Sequence, residues 1–326
     1  MYYIGIDIGG TKCAVSLGEG AGDGNISIID KVKFPTAGKT PSEVLDMFFS
    51  ECERIVSAHG IAFSDVGGIG VSCGGPLDAE RGIVMSPPNL PDWDDIHVKE
   101  FFEKKTGVKT KLQNDANACA VAEWLFGAGR GAKNVVFLTF GTGLGAGLIL
   151  DGHLYSGTSD MAGEIGHVRL RKEGPVGYGK AGSCEGFCSG AGIAKLGIMA
   201  VEEALARGET PRLLAEAGSI ENINAKIIAD LAHAGDPLCV GVYEKCGRML
   251  GETLSIIVDL LNPEKIILGG VFMRSAYLLT AEAERVMKEE CLSYALDVCR
   301  IVPAGLGENI GDYAALSLAV LAEKGE

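Results

Sequence analysis

The chain has 326 residues, 47% hydrophobic and 22% charged, which excludes a disordered or fibrous protein and gives enough length for two domains around one site. Its formal net charge of -14, from 29 Lys plus Arg against 43 Asp plus Glu, argues against nucleic-acid or membrane partners and requires any bound phosphate to be held by a local cradle. No apolar run reaches the ~18 residues of a membrane span and Met1-Tyr2-Tyr3-Ile4 carries no basic leader, so a cytoplasmic protein is expected.

Tyr3 to Asp7 and Cys13 to Leu17 are β-like runs separated by Gly9-Gly10-Thr11-Lys12, a strand, a tight glycine turn and a second strand. Apolar residues from Val44 to Val56 recur at helical spacing after Thr40-Pro41-Ser42-Glu43, a capping box with proline at the first helical position, which predicts a helix over Pro41 to His59. A strand over Gly68 to Ser72 runs into Cys73-Gly74-Gly75-Pro76, and a strand over Lys109 to Gln113 runs into Asn114-Asp115-Ala116-Asn117, which opens an Ala-rich helix ending near Gly127. Val135 to Thr139 and Gly147 to Leu150 flank Gly141-Thr142-Gly143-Leu144-Gly145, again strand, glycine turn, strand. Ile6 to Thr11 can be laid over Leu138 to Gly143, so one supersecondary unit occurs twice. This predicts a duplicated α/β fold whose halves face each other across a cleft. The last third predicts a helix from Val242 to Leu261, a strand over Lys265 to Leu268 meeting Gly269-Gly270, a helix from about Ser275 to Cys291, and a final helix from Gly311 to Lys324 that packs back onto the first domain.

Glycine, 47 of 326 residues, is about twice its usual share and clusters between apolar runs, as expected where backbone approaches a ligand. Ten cysteines sit in apolar surroundings without the spacing of a disulfide ladder and are expected to be reduced core residues. Gly38-Lys39-Thr40 ends like a P-loop, but Lys33 stands where the first glycine should be. Gly141 to Ala146 fits the dinucleotide pattern G-x-G-x-x-G/A, yet it opens a β-run where that pattern needs a helix. A pair of hairpin turns whose N–H groups cradle a triphosphate is the remaining reading.

Taken together the segments resemble the ROK family, the sugar kinases and related repressors within the actin and hexokinase-like ATPases, over essentially the whole chain. Asp7-Ile8-Gly9-Gly10-Thr11-Lys12 is similar to the family's first phosphate motif and Gly141-Thr142-Gly143-Leu144-Gly145 to its second. Ser86-Pro87-Pro88-Asn89-Leu90, Asn114-Asp115-Ala116-Asn117, Gly163-Glu164-Ile165-Gly166-His167 and Ile267-Leu268-Gly269-Gly270 are similar to its sugar, catalytic and adenosine segments. The resemblance implies an actin/hexokinase-like (ribonuclease H-like) fold, with residues 1–117, completed by helix 311–324, as the smaller domain and 118–310 as the larger. It implies Asp115 as the base that deprotonates a sugar hydroxyl, and ATP with Mg²⁺ as cofactors. Asp7 would hold Mg²⁺ through water, Gly9, Gly10, Thr11, Lys12, Thr142 and Gly143 would contact phosphates, and Gly269 and Gly270 would let the nucleotide approach. Asn89, Asn114, Asp115, Glu164, His167 and Glu185 would bind the sugar. Domain closure and a homodimer are likewise implied.

The chain departs from the family where many members carry a zinc-binding Cys-x-Cys-Gly-x-x-Gly-Cys-x-Glu segment. Val176, Tyr178 and Ser183 occupy the cysteine positions, while Gly179, Gly182 and Glu185 stay in register. No structural zinc is expected, a shifted site of His167, Cys184 and Cys188 is a weak pattern, and with one clamp on its loop gone the contact of Glu185 with sugar is expected to be less secure than the role of Asp115. The leading function is a glucokinase making glucose 6-phosphate. Kinases for fructose, N-acetylmannosamine or another hexose, and a sugar-sensing regulator, are the alternatives.

Overall fold

The computed structural model describes residues 1–21, 24–36 and 38–325. The chain begins with β1 (Tyr2–Ile8), β2 (Lys12–Gly20), β3 (Ile26–Pro35), α1 (Pro41–Ala58) and β4 (Val66–Cys73). Three two-residue strands follow, β5 (Leu77–Asp78), β6 (Ile83–Val84) and β7 (Ile96–His97), then α2 (Val98–Thr106), β8 (Thr110–Asn114) and α3 (Asp115–Phe126). Next come β9 (Val135–Phe140), β10 (Leu144–Leu150), β11 (His153–Leu154), β12 (Val176–Gly177), β13 (Lys180–Ala181), α4 (Cys184–Phe187) and α5 (Gly190–Ala206). The chain continues through α6 (Arg212–Ala217), α7 (Ala225–His233), α8 (Pro237–Leu261), β14 (Lys265–Leu268), α9 (Phe272–Glu290), α10 (Ser293–Val298), β15 (Arg300–Pro303) and α11 (Ile310–Lys324). Among the described residues no helix is long and apolar enough to cross a membrane.

The internal repeat is visible in the sheet topology. One five-stranded sheet has the order β3-β2-β1-β4-β8 and the other β11-β10-β9-β14-β15, so each carries its glycine-turn hairpin followed by two later strands in the same relative places. In the first, β2 pairs antiparallel with β1 and β3, whereas β1, β4 and β8 run parallel. In the second, β14 runs parallel to both β9 and β15. The fold is mixed α/β, as the motif order implied.

The chain separates into two compact units, one of Met1–Lys133, Gly147–Ala162 and Gly305–Glu326, the other of Asn134–Ala146 and Gly163–Ala304. This differs from the expected boundary after residue 117, which would cut through α3. Within the first unit α3 stays with its own side of the chain for two packing reasons. A Cβ on Gly147 would stand 2.5 Å from the Ala116 carbonyl oxygen, so the segment that begins at Gly147 lies directly on α3. At the other end of α3 the buried Glu123 carboxylate accepts N–H groups from Ala128 (2.7 Å), Gly305 (3.0 Å) and Leu306 (2.9 Å), which fastens the segment leading to α11.

Helix α11 belongs to the first unit and lies over β1 and β4. It can do so because β4 presents Gly70, where any Cβ would land on the Ala315 carbonyl oxygen. Part of the glycine excess therefore serves helix-on-sheet contact and not a ligand. Helix α1 forms as its capping box dictates, with Thr40 Oγ1 accepting from Glu43 N and Glu43 Oε2 accepting from Thr40 N. It buries Val44, Leu45, Phe48, Cys52, Ile55 and Val56 along one face, the aliphatic and aromatic side chains each worth about 1.5–3 kcal/mol when fully removed from water. All ten cysteines are free, and only Cys119 and Cys291 are less than fully buried.

Several boundaries move. Helix α8 starts at Pro237, not Val242, because Asp236 caps it by accepting from Cys239 N and Pro237 sits in its first turn. Helix α9 starts at Phe272, and β10 starts at Leu144, which leaves Gly141 to Gly143 as the turn.

Candidate active site

In the first unit, parallel pairing puts the functional side chains at one sheet edge. Ile8 on β1 registers with Cys73 on β4, and Cys73 with Asn114 on β8, so Asp7 and the Asn114-Asp115 pair meet where the carboxyl ends of these strands run out. That edge is where open α/β sheets bind ligands. The first turn, Gly9 to Lys12, closes beside it. Thr36 Oγ1 donates to the Gly9 carbonyl (3.3 Å), and the Gly10 backbone lies against the carbonyl of Asn89, with no room for a Cβ. Thr11 and Lys12 are exposed, and the Asn89 side chain sits beside Gly74.

Asn114, not Asp115, caps α3: its Oδ1 accepts from Asn117 N at 2.8 Å. Asp115 is the first helical residue, with Oδ1 accepting from Ala116 N at 2.8 Å. Its surface remains open to solvent although neighbours crowd around it, and this crowding raises its carboxyl pKa against the lowering effect of the Ala116 N–H. Asp7 is pushed up to about 6, first by burial, then by the negative charges of Asp312 and Asp115, with Lys31 and Lys33 pulling the other way. A half-buried carboxylate repelled by two others, and offered as a hard oxygen donor, fits a divalent cation that keeps most of its water. Asp312 itself, on the first turn of α11, is buried in an ion pair with Lys31 and accepts from Ser16 Oγ (2.9 Å). Asp312 and Lys31 escaped sequence reasoning: Asp312 is set in an apolar helix, a mismatch that could have flagged it.

The second unit holds the other motifs. Leu144, at the end of the second turn, donates its N–H to Glu185 Oε2 at 3.1 Å, and Gly141 accepts from the N–H of Gly190 at the start of α5 (2.8 Å). Val271 N–H donates to the Phe140 carbonyl (2.5 Å), so the Gly269-Gly270 segment abuts the same turn. Thr142 and Gly270 are exposed. His167 Nε2 lies 3.9 Å from Glu164 Oε2, and the His167 ring meets Tyr178 edge-on at 5.1 Å.

The loop carrying Glu185 is held by protein contacts in place of the family's metal clamp. Ser183 caps α4 by accepting from Gly186 N (3.1 Å), Ser189 Oγ donates to the Glu185 carbonyl (2.8 Å), and the β12–β13 hairpin packs on α4 through Gly177. Of the three residues at the zinc-cysteine positions, Ser183 thus has a structural task of its own, as the cap of α4, whereas Tyr178 and Val176 are exposed. Cys184 and Cys188 are fully buried, with Cys184 Sγ beside Thr253 Oγ1 (3.3 Å) and Cys188 Sγ directed at the Cys246 carbonyl (3.7 Å). Among the described residues no group of three or more His, Cys, Asp or Glu side chains is arranged to hold a metal ion, so His167, Cys184 and Cys188 are not brought together as a site.

The model of the ROK family matches residues 3–321. A glucokinase of Halalkalibacterium halodurans is 30% identical over 313 residues, 95% of this chain and 92% of that one. The crystal structure of a ROK family glucokinase from Streptomyces griseus in complex with glucose and AMPPNP superposes with a TM-score of 0.75 at 28% identity, covering 98% of this chain and 99% of that one. A xylose repressor of Bacillus spizizenii is 29% identical over 242 residues, 74% of this chain and 58% of the repressor.

Proposed function

Because the chain belongs to the ROK family, we propose that it is an ATP-dependent hexose kinase whose preferred acceptor is glucose and whose product is glucose 6-phosphate. The observation that carries the reading is the place of Asp115. It starts α3 without being spent as the cap, which Asn114 supplies, and it stands at the same strand edge as Asp7. A carboxylate so placed takes the proton of a sugar hydroxyl as that oxygen attacks the γ-phosphorus. Gly9, Gly10, Thr11, Lys12, Thr142 and Gly143 line the phosphates, and Gly269 and Gly270 take the nucleotide. Asp7 is the carboxylate that would hold Mg²⁺ through water; when bound, the metal supplies neutralisation of charge on the phosphate oxygens. Asn89, Asn114, Asp115, Glu164, His167 and Glu185 pair with sugar hydroxyls, since each buried hydroxyl left unpaired costs about 1–3 kcal/mol.

The glucokinase name of the H. halodurans relative supports phosphoryl transfer to glucose, and the S. griseus complex with glucose and AMPPNP supports a nucleotide and a hexose on one fold. The test is incubation with Mg-ATP and a panel of glucose, mannose, fructose, N-acetylglucosamine and N-acetylmannosamine, with sugar phosphate read by mass spectrometry and Asp115→Asn as control. Product from glucose that vanishes in the variant supports the reading. Product from another sugar alone replaces the acceptor. Sugar binding with no product from any member refutes the kinase and leaves the regulator reading that the repressor relative represents.

A further inference from the structure

Glu185 does more than face a sugar: we infer that it is a positioning residue for the second phosphate turn and so ties nucleotide affinity to sugar recognition. The inference rests on the kinase reading above and on contacts within the second unit alone. Leu144 is the node. Its N–H goes to Glu185 Oε2, and its carbonyl lies against Gly166, between Glu164 and His167, so tightly that Gly166 has no room for a Cβ. Glu185 Cβ closes on the same glycine, 3.4 Å from where a Gly166 Cβ would sit. The backbone of Gly143, the residue just before Leu144, is pressed to the same carboxylate, where an added Cβ would stand 2.6 Å from Oε2. Both candidate sugar segments of the second unit therefore touch the residue that ends the phosphate turn, one through a side-chain carboxylate and the other through backbone.

A carboxylate has two oxygens and about four acceptor positions. With Oε2 engaged by Leu144 N–H, Oε1 is the oxygen that remains for a sugar hydroxyl. One rigid group then holds both, and α4 is itself fixed by the Ser183 cap and by Ser189. A sugar that orders the Glu185 carboxylate orders the Leu144 N–H and the turn before it. By reciprocity nucleotide bound at the turn favours sugar to the same degree.

The experiment measures the Kd of Mg-AMPPNP by calorimetry with no sugar present, for wild type and for Glu185→Ala, Glu185→Asp and Glu185→Gln, each checked for native thermal unfolding. A residue that only contacts sugar leaves this Kd unchanged in every variant. The inference expects Ala, which removes the acceptor, and Asp, which is one methylene too short, to weaken Mg-AMPPNP about tenfold, the scale of one hydrogen bond to a charged group. Gln keeps an oxygen for Leu144 N–H and is expected to bind within about threefold of wild type. In wild type, the best acceptor of the panel should tighten Mg-AMPPNP, and Glu185→Ala should bring that ratio to one. Unchanged Mg-AMPPNP affinity in Glu185→Ala overturns the inference while leaving the kinase intact. A wild type that binds no Mg-AMPPNP sinks the kinase reading and this inference together.

Discussion

Glu123→Gln should loosen α11 without touching any residue of the candidate site. The wild-type carboxylate is fully buried, with Oε2 accepting from Ala128 and Gly305 N–H and Oε1 from Leu306 N–H. Glutamine can keep an oxygen at the Oε2 position, but its NH₂ then faces the Leu306 N–H, so one charge-assisted bond is lost and two donors oppose each other. That costs about 2–3 kcal/mol. Alanine removes all three acceptor contacts, at about 1.5 kcal/mol each, for about 4–5 kcal/mol. Because two units need not unfold in one step, a single melting temperature is the wrong assay. Native-state hydrogen exchange of the amides of 310–324 is the right one, and 2–3 kcal/mol predicts exchange about 30- to 150-fold faster in Glu123→Gln. Exchange within about twofold of wild type would refute the idea that Glu123 fastens the C-terminal segment.

Asp115→Asn should lower kcat by about 10²- to 10⁴-fold with sugar Kd changed only a few-fold; a loss of affinity that accounts for the whole effect contradicts its role as base. Since Asp7 is pushed up to about 6 and Asp115 is also raised, and both are needed as carboxylates, kcat/KM should fall as pH drops below about 6, whereas a flat profile down to pH 5 is the contrary result. Stability of the unliganded protein runs the other way. A raised folded-state value means the proton favours the fold, so the Asp7 contribution is present below its ordinary 3.8 and is lost as pH rises to about 6, and Asp7→Asn should remove that slope in urea titrations. Gly70→Ala drives a methyl into the Ala315 carbonyl and should cost at least about 1–3 kcal/mol, read as faster native-state exchange of the 310–324 amides; unchanged exchange means that α11 does not lie tightly on β4.

What the sequence carried and what it did not have separate physical causes. Both glycine hairpins, the α1 capping box and the Asn114-Asp115 start of α3 are local signals, written in adjacent residues, and all are present. The duplication too was legible, because the same hairpin occurs twice and each fixes the order of its sheet. The boundary after 117 misled because which side α3 joins depends on Gly147 and Glu123 meeting segments far along the chain. Helices α5, α6 and α7 escaped because much of Gly190–Ala206 is small and apolar all round, with no clear stripe, while α6 and α7 are short. In the site, Asn89 beside Gly10 and Asp312 beside Asp7 are long-range neighbours that no spacing reveals. The true cap of α3 was ambiguous for a simpler reason: Asn and Asp compete equally for that place, and only backbone geometry decides between them.

The position of α11 in the chain sets an order of assembly. Residues 310–324 cover β1 and β4, strands that precede the whole of Gly163–Ala304 in the chain, and they emerge only after that segment has been synthesised. On the ribosome the Gly68-to-Gly70 face of β4 therefore waits uncovered while the intervening segment completes its own local helices, so a sheet made before that segment is sealed only after it.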